Sequence, residues 1–140
     1  MDGELLGSVG PGLLALVAVH RADLLADAER LAAKTAELRI FAGAQGKMQH
    51  TLLERGGEVL SVSQFTLYAQ LWRGRRPDFT EAAASGLAEA LWRAYNQALR
   101  GRGLRVCEGR FGAHMQVALV NDGPATFWLD SRAAGSPENF

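Results

Sequence analysis

Hydrophobic residues follow two different spacings in the first forty residues of the chain. Residues 13–19 are all apolar and come directly after Gly10-Pro11-Gly12, which is typical of a short buried strand. Steps of four and three residues then separate the next apolar-face positions, which is helical spacing. These positions are Leu24, Ala28, Leu31, Thr35 and Leu38. We therefore predict a helix here, with Asp23 as its N-terminal cap.

Residues 58–66 show the two-residue periodicity of a strand. Leu60 and Val62 fall on one face of this predicted strand, while Val59 and Ser61 fall on the other. Its last residues carry hydroxyls and an amide, and functional groups tend to lie at such exposed element ends. Further strands are predicted at residues 39–41, 104–108, 115–120 and 125–129.

A second helix is predicted from Thr80 or Ser85 to Arg100, because every fourth residue from Leu87 to Leu99 is apolar. Strands outnumber helices, and the helices lie between groups of strands. The pattern indicates an α+β fold: a single domain of antiparallel or mixed β-sheets with two main helices.

Composition and charge limit the classes of function. Hydrophobic residues make up 48% of the chain and charged residues 21%, which is ordinary for a globular domain. The formal net charge is zero, so a nucleic-acid partner would have to bind a local basic patch. The single Cys107 excludes an intrachain disulfide, and no apolar run approaches the about 20 residues of a membrane span. These features predict one cytoplasmic domain over residues 1–130, followed by a polar tail at 131–140.

Residue types alone leave the chemistry open. The three histidines, His20, His50 and His114, show no metal-binding spacing. Ser63 and Thr66 carry hydroxyls, but the sequence nominates no base that would activate either one. Residues 121–124 indicate a β-turn, and because about 5–6% of X-Pro bonds in folded proteins are cis, the residues alone favour trans.

Several segments, in the same order along the chain, resemble the D-aminoacyl-tRNA deacylase family. Two of them are similar to its signatures: Ser63-Gln64-Phe65-Thr66-Leu67 and Asn121-Asp122-Gly123-Pro124-Ala125-Thr126. Arg73-Gly74-Arg75-Arg76-Pro77 with Phe79 resembles the family's RGxRPxF stretch. Weaker matches are Gly10-Pro11-Gly12-Leu13-Leu14, Arg39-Ile40-Phe41, Gly46-Lys47-Met48, and Gly109-Arg110-Phe111-Gly112-Ala113 with Met115. Together the segments span residues 3 to 129.

The resemblance implies a homodimeric hydrolase, without cofactor or metal, that cuts the ester between a D-amino acid and the 3′ end of tRNA. It also implies activity on glycyl-tRNA, including glycine mischarged on tRNA-Ala. Thr66 would be the catalytic residue. The implied substrate-binding residues are Ser63, Gln64, Phe65 and Met115. The candidates for tRNA contact are Arg73, Arg75 and Arg76.

Gly123 and Pro124 would select the chirality of the substrate. The resemblance implies a cis bond between them and places this turn of one subunit in the pocket of the other. Their main-chain oxygens would contact the α-amino group and crowd the space that an L side chain needs. A D residue or glycine would avoid that clash, so the turn would act by exclusion.

Three alternatives stay open. A hydroxyl of the terminal ribose can replace Thr66 as the catalytic group, with N–H groups near Phe65 and Thr66 as the oxyanion site, and the lack of a base beside Thr66 favours this. Family members usually begin with one more strand, before the position matching Asp2. Its absence suggests a misassigned start and leaves open an inactive relative that only binds tRNA or a partner. A relative with a trans Gly-Pro bond would edit mischarged L-aminoacyl-tRNA instead.

Overall fold

A computed structural model of the chain describes residues 3–132, and these residues form an α+β fold with two main helices, as predicted. The elements in chain order are β1 (Gly12–Val17), α1 (Leu25–Glu37), β2 (Phe41–Ala42), β3 (Met48–His50), β4 (Glu58–Ser63), a 3-10 turn (Phe65–Tyr68), α2 (Ser85–Gly101) and β5 (Arg105–Glu108). In these residues, neither helix is long and apolar enough to cross a membrane.

The main sheet is parallel, with strand order β1-β4-β5, and β2 and β3 form a separate antiparallel pair. Leu14 pairs with Leu60, and Val59 pairs with Val106. Parallel strands need a long crossover connection. Here α1 lies in the connection from β1 to β4, and α2 connects β4 to β5.

The hydrophobic core lies between the two helices and one face of the parallel sheet. Its buried members are Val19, Ala28, Ala32, Ala36, Leu52, Val59, Ala88, Leu91, Tyr95, Leu99, Leu104 and Val106. The three alanines of α1 lie at helical spacing, and their small side chains allow the close approach of α1 to the rest of the core. Ala32, Val59 and Leu99 are completely buried.

Two pairs of polar side chains are hydrogen-bonded inside the core. Trp92 Nε1 donates a 2.8 Å hydrogen bond to Ser61 Oγ, and both side chains are buried. Thr35 Oγ1 lies 3.0 Å from the Tyr95 hydroxyl and donates to the Leu31 carbonyl at 2.8 Å. Burial raises the pKa of Tyr95, so its hydroxyl stays neutral at physiological pH. These pairs remove the cost of burying isolated polar atoms.

The strands predicted at residues 115–120 and 125–129 are absent from the described part of the chain. No backbone hydrogen bond within residues 3–132 pairs either segment with a strand. Their apolar side chains are exposed instead: Leu119 by 58%, Val120 by 90% and Trp128 by 67%. The sequence has strand character here, but a strand exists only when a second backbone satisfies its N–H and C=O groups.

Two other predicted boundaries were wrong. β4 ends at Ser63 rather than at residue 66, because the chain enters the 3-10 turn at Phe65 directly after the Gln64 N–H bonds to the Val17 carbonyl. Asp23 is not the cap of α1, which begins after Leu24; its carboxylate accepts the His20 N–H at 2.8 Å instead. The polar tail predicted at residues 131–140 lies outside the described residues from 133 onward, and Arg132 within it pairs with Asp23 at 3.2 Å.

Candidate active site

The Ser63–Thr66 segment leaves the sheet as an exposed turn. Gln64 N donates to the Val17 carbonyl at 2.7 Å, which continues the contact of β4 with β1 by one residue. The Phe65 side chain is 52% exposed, and Thr66 is also exposed. The first backbone hydrogen bond of the turn runs from Leu67 N to Gln64 O, so the N–H groups of Phe65 and Thr66 have no acceptor within residues 3–132. These two donors can bind a ligand oxygen.

Thr66 has an amide beside it and no base. Gln64 Nε2 lies 2.5 Å from Thr66 Oγ1, and an amide accepts no proton at neutral pH. The nearby His20 is already engaged at both ring nitrogens: Nδ1 accepts the Ala22 N–H at 3.0 Å, and Nε2 lies 2.6 Å from Glu81 Oε2. In the described residues, no carboxylate or imidazole hydrogen-bonds to the Thr66 hydroxyl. The hydroxyl therefore lacks the activation that a nucleophile needs.

Met115 is brought back to the sheet through Gly109. The Gly109 N–H donates to the Ser61 carbonyl of β4 at 2.9 Å, and the Arg110 N–H lies 3.3 Å from Met115 Sδ. A Cβ atom on Gly109 would lie 2.9 Å from Met115 Sδ and 3.6 Å from a methyl of Val62. Glycine leaves room for this approach, because a Cβ atom here would push the Met115 side chain away. Gly109 and Met115 lie on the Val62 side of the sheet.

The Gly123–Pro124 peptide bond is cis, and the side chain of Asn121 holds the turn around it. Asn121 Oδ1 accepts the Ala125 N–H at 3.0 Å, and its Nδ2 donates to Thr126 Oγ1 at 2.8 Å. Gly123 has φ of +129°, a conformation that L side chains rarely adopt. Within residues 3–132, no hydrogen bond or ring contact joins this turn to the Ser63–Thr66 segment of the same chain.

The segment with the three arginines that are candidates for tRNA contact forms a loop next to the exposed turn. Its base is closed by two backbone hydrogen bonds between Gln70 and Asp78, of 2.7 and 2.9 Å. The Phe79 ring packs against the Phe65 ring with centroids 5.0 Å apart. The loop's three arginines, Arg73, Arg75 and Arg76, are all exposed. The base of the loop therefore adjoins Phe65 through Phe79, a residue to which sequence reasoning gave no role.

The pKa values of two residues around the site are shifted by their surroundings. Thr80 donates its hydroxyl and, at 2.8 Å, its N–H to Asp78 Oδ1, and these bonds together with Arg73 hold the pKa of Asp78 below its usual range. Burial, with the nearby Asp130, raises the pKa of Tyr68 well above its ordinary value of 10.

The His20 ring meets the Tyr68 ring edge-on, with centroids 5.3 Å apart. The link from His20 to Glu81 spans 61 residues, and no local pattern signals it.

No group of residues in the described part of the chain could hold a metal ion. His50 lies 3.6 Å from Glu54 across one helical turn of spacing. His114 is exposed and lines an open depression of about 620 Å³ with Gly3, residues 110–113 and Gln116. None of the predicted catalytic or chirality-selecting residues lines this depression.

Both signature segments therefore carry exposed backbone and polar groups at places that the fold fixes. The family model for D-Tyr-tRNA(Tyr) deacylase matches residues 1–130. The chain belongs to this family. A D-aminoacyl-tRNA deacylase of Syntrophotalea carbinolica is 53% identical over 131 residues, covering 94% of this chain and 88% of that protein. One from Thermomicrobium roseum is 54% identical and covers 94% of this chain and 85% of the relative.

Two solved structures share the fold of the chain. The structure of a protein named c-Myc DNA Unwinding Element Binding Protein superposes with a TM-score of 0.85 at 34% identity, over 94% of this chain and 89% of the other. A structure described as that of a "probable eukaryotic D-amino acid tRNA deacylase" gives a TM-score of 0.67 over 76% of this chain and 77% of the other. At 18% identity, the second likeness shows the fold alone.

Proposed function

We propose that the chain is a homodimeric hydrolase that cleaves the ester joining a D-amino acid, or glycine, to the 3′ end of tRNA. The observation that carries the proposal is the family match over residues 1–130, which includes both signature segments. Relatives about half identical to the chain carry the name D-aminoacyl-tRNA deacylase. Such an activity recycles tRNA and keeps D residues out of translation, so we place the enzyme in the cytoplasm.

A second subunit would complete the site. The Gly123–Pro124 turn makes no described contact to the Ser63–Thr66 segment of its own chain, and Leu119 and Val120 beside it are exposed. Burial of apolar surface is worth roughly 25 cal/mol per Å², so a large exposed apolar patch indicates an interaction surface. We infer that the turn of one subunit enters the pocket of the other, where Ser63, Gln64, Phe65 and Met115 bind the substrate.

The turn would select chirality by excluding one enantiomer. Its main-chain oxygens are fixed because Asn121 binds the backbone and side chain that follow them. A wall of main chain makes no use of the substrate's side-chain type, which suits an enzyme that accepts many D residues. Steric exclusion discriminates steeply, whereas one methylene of favourable apolar contact is worth only about 1–3 kcal/mol.

The free ribose hydroxyl of the terminal adenosine is the better candidate for the proton-transferring group: water attacks the ester carbonyl, the hydroxyl relays its proton to the ester oxygen of the ribose, and the free amino acid leaves. Thr66 Oγ1 is hydrogen-bonded to an amide and has no described base. The N–H groups of Phe65 and Thr66 are available to stabilise the oxyanion that forms on the ester carbonyl. In this mechanism the protein positions the ester and stabilises charge, and the substrate supplies the hydroxyl.

The catalytic assignment is tested with Thr66→Val and with a tRNA ending in 2′-deoxyadenosine that carries D-Tyr on its 3′ oxygen. We expect the variant to keep substantial activity on normal D-Tyr-tRNA and wild type to lose activity on the deoxy substrate. Complete loss in Thr66→Val, with folding and tRNA binding intact, would instead assign the nucleophile to Thr66.

The function itself is tested by measuring amino-acid release from D-Tyr-tRNA, L-Tyr-tRNA and Gly-tRNA. We expect hydrolysis of the first and third and no hydrolysis of the second. Release of L-Tyr at a comparable rate would defeat chirality selection and favour an editing enzyme for L-aminoacyl-tRNA. Binding of tRNA without release from any substrate would identify a binding protein instead.

A further inference from the structure

The loop of residues 71–77, which we call the arginine loop, has a base fixed by hydrogen bonds, and its residues are all exposed. Gln70 and Asp78 close its base through two backbone hydrogen bonds, and Phe79 packs on Phe65 of the proposed pocket. After Phe79, Glu81 binds His20 at 2.6 Å. The loop is therefore held beside the pocket by contacts on its C-terminal side.

Trp72 in this loop is almost fully exposed, and burial in the fold of the chain does not account for a tryptophan at this position. Its side chain is 88% exposed, and its neighbour Leu71 is 63% exposed. No ring contact or hydrogen bond involves Trp72 within residues 3–132, whereas Trp92 is almost completely buried and donates to Ser61. A large aromatic ring left in water stabilises nothing in the fold, but it offers a flat apolar surface to a partner.

Positive charge surrounds the exposed ring. The arginine loop contains Arg73, Arg75 and Arg76 and no acidic residue, in a chain whose net charge is zero. None of the three forms an ion pair within the described residues, although Arg73 lowers the pKa of the nearby Asp78. Gly74 at the centre has φ of +68° and open space around it. The guanidinium groups are thus available for an anionic ligand.

An exposed aromatic ring beside unpaired arginines matches the chemistry of single-stranded nucleic acid. Bases stack on aromatic rings whatever their sequence, and the phosphates between them bind arginine. A tRNA ends in a single-stranded segment, and its terminal ribose must lie at the Thr66 turn if the proposed function holds. The preceding bases would then pass close to the arginine loop, which adjoins Phe65 through Phe79.

We propose that Trp72 stacks on a base of the single-stranded 3′ end of tRNA, upstream of the terminal adenosine, while Arg73, Arg75 and Arg76 bind its phosphates. This inference rests on the proposed function for the identity of the ligand. It adds a binding residue, Trp72, that makes no contact with the ester and acts through affinity.

The test is binding of RNA, which needs no hydrolysis. Wild type, Trp72→Leu and Trp72→Phe are titrated with a labelled RNA hairpin that ends in single-stranded ACCA and with the same hairpin made blunt. Base stacking on an aromatic side chain is worth about 1–3 kcal/mol, so we expect Trp72→Leu to weaken binding of the ACCA hairpin by about 5- to 150-fold. Trp72→Phe should keep most of the affinity, and the blunt hairpin should not distinguish the three proteins.

A kinetic measurement locates the effect. Trp72→Leu should raise KM for D-Tyr-tRNA by a similar factor with kcat unchanged, and it should leave cleavage of D-tyrosyl-adenosine unchanged. Arg75→Gln should reduce the slope of log affinity against log salt by about 0.7, the value for one phosphate contact on a single strand.

Equal affinity of Trp72→Leu and wild type for the ACCA hairpin would overturn the inference, as would equal weakening in Trp72→Phe and Trp72→Leu. Loss of binding to anionic lipid vesicles in Trp72→Leu, with RNA binding unchanged, would assign the loop to a membrane surface. If wild type binds the ACCA hairpin through Trp72 yet releases no amino acid from any substrate, the proposed hydrolysis fails while the stacking contact stands.

Discussion

The face of the parallel sheet that α1 and α2 cover differs from the opposite face in how much of its apolar side chains is exposed. On the covered face Val59 is completely buried, and Ser61 has a buried partner in Trp92. On the opposite face Leu16 is 44% exposed. The segment that follows β5 adds further exposed apolar side chains, among them Val120. The helices of the chain cover the first face, whereas the second face, on which Val62 is buried, still leaves Leu16 partly exposed.

The two regions are also held by different interactions. The helix-covered core is held by burial of alanine, valine and leucine side chains. The exposed segments are held by local polar bonds, in which Asn121 fixes the turn around Gly123 and Asp78 binds Thr80. Burial sets the stability of the fold, and local hydrogen bonds set the shape of the site. Substitutions in the two regions should therefore separate stability from activity.

The largest effect on stability is expected from Leu99→Ala in the core. Leu99 is completely buried between α2 and the sheet, so the substitution removes apolar burial and leaves a cavity. It should lower the free energy of unfolding by about 2–5 kcal/mol, as measured by urea titration. Leu119→Ala is the matched control, since Leu119 is 58% exposed; in dilute protein it should change the free energy of unfolding by less than about 0.5 kcal/mol. Equal losses in both variants would refute the contrast between the regions.

A second large effect is expected when a charge is placed on the exposed segment that follows β5. Val120→Asp puts a carboxylate on a side chain that is 90% exposed, so the fold of the subunit should be unaffected. A dimer that buries this position would have to desolvate an unpaired charge, at a cost of several kcal/mol. We expect a monomer by light scattering and a loss of activity of at least about 100-fold at low protein concentration, converted from about 2.7 kcal/mol.

Protein concentration separates this result from local damage beside Gly123. Activity of Val120→Asp should rise more steeply than linearly as the protein is concentrated, because dimers re-form by mass action. A variant that stays dimeric, or a wild type that is active as a monomer, would show that the exposed segment does not form the subunit interface.

An intermediate effect is expected from the buried pair of Trp92 and Ser61. Trp92→Phe leaves the Ser61 hydroxyl without its described donor, and Ser61→Ala leaves the indole N–H without its acceptor. Each should cost about 1–3 kcal/mol of unfolding free energy, because a buried polar group loses its partner. The double variant should cost less than the two single costs together. Additive costs would mean that the bond contributes nothing beyond packing.

Elements with a local signal were predicted well from the sequence. The strand near residues 13–19, the helix ending near Arg100 and the strand near residues 104–108 all have a periodicity that their own residues carry. The features that were missed depend on distant partners. Gln64 bonds to Val17 across the sheet at the end of β4, and His20 meets Glu81 from 61 residues away. Pairing across such separations leaves no trace in local spacing.

The candidate site divides in the same way. The signature residues were identified by resemblance, and the structure places Met115 against Gly109 and Phe65 against Phe79. Residues 115–120 were predicted as a strand because apolar residues favour that conformation. These residues favour the strand conformation, but within residues 3–132 no backbone pairs with them. Local sequence can therefore nominate a strand, while a partner backbone decides whether it forms.

The smallest effect concerns the base of the arginine loop. Thr80 holds the pKa of Asp78 below its usual value of 3.8, chiefly through its hydroxyl and next through its N–H. Because the pKa is lowered in the folded state, the carboxylate supports the loop above the ordinary pKa, and this support is lost as the pH falls through the lowered value. Thr80→Val removes the hydroxyl and keeps the N–H, so the pKa of Asp78 should rise but stay below 3.8. Carboxyl NMR titration measures it. An unchanged pKa of Asp78 would mean that the loop base does not depend on this bond, and its order would then have to come from Phe79 packing on Phe65.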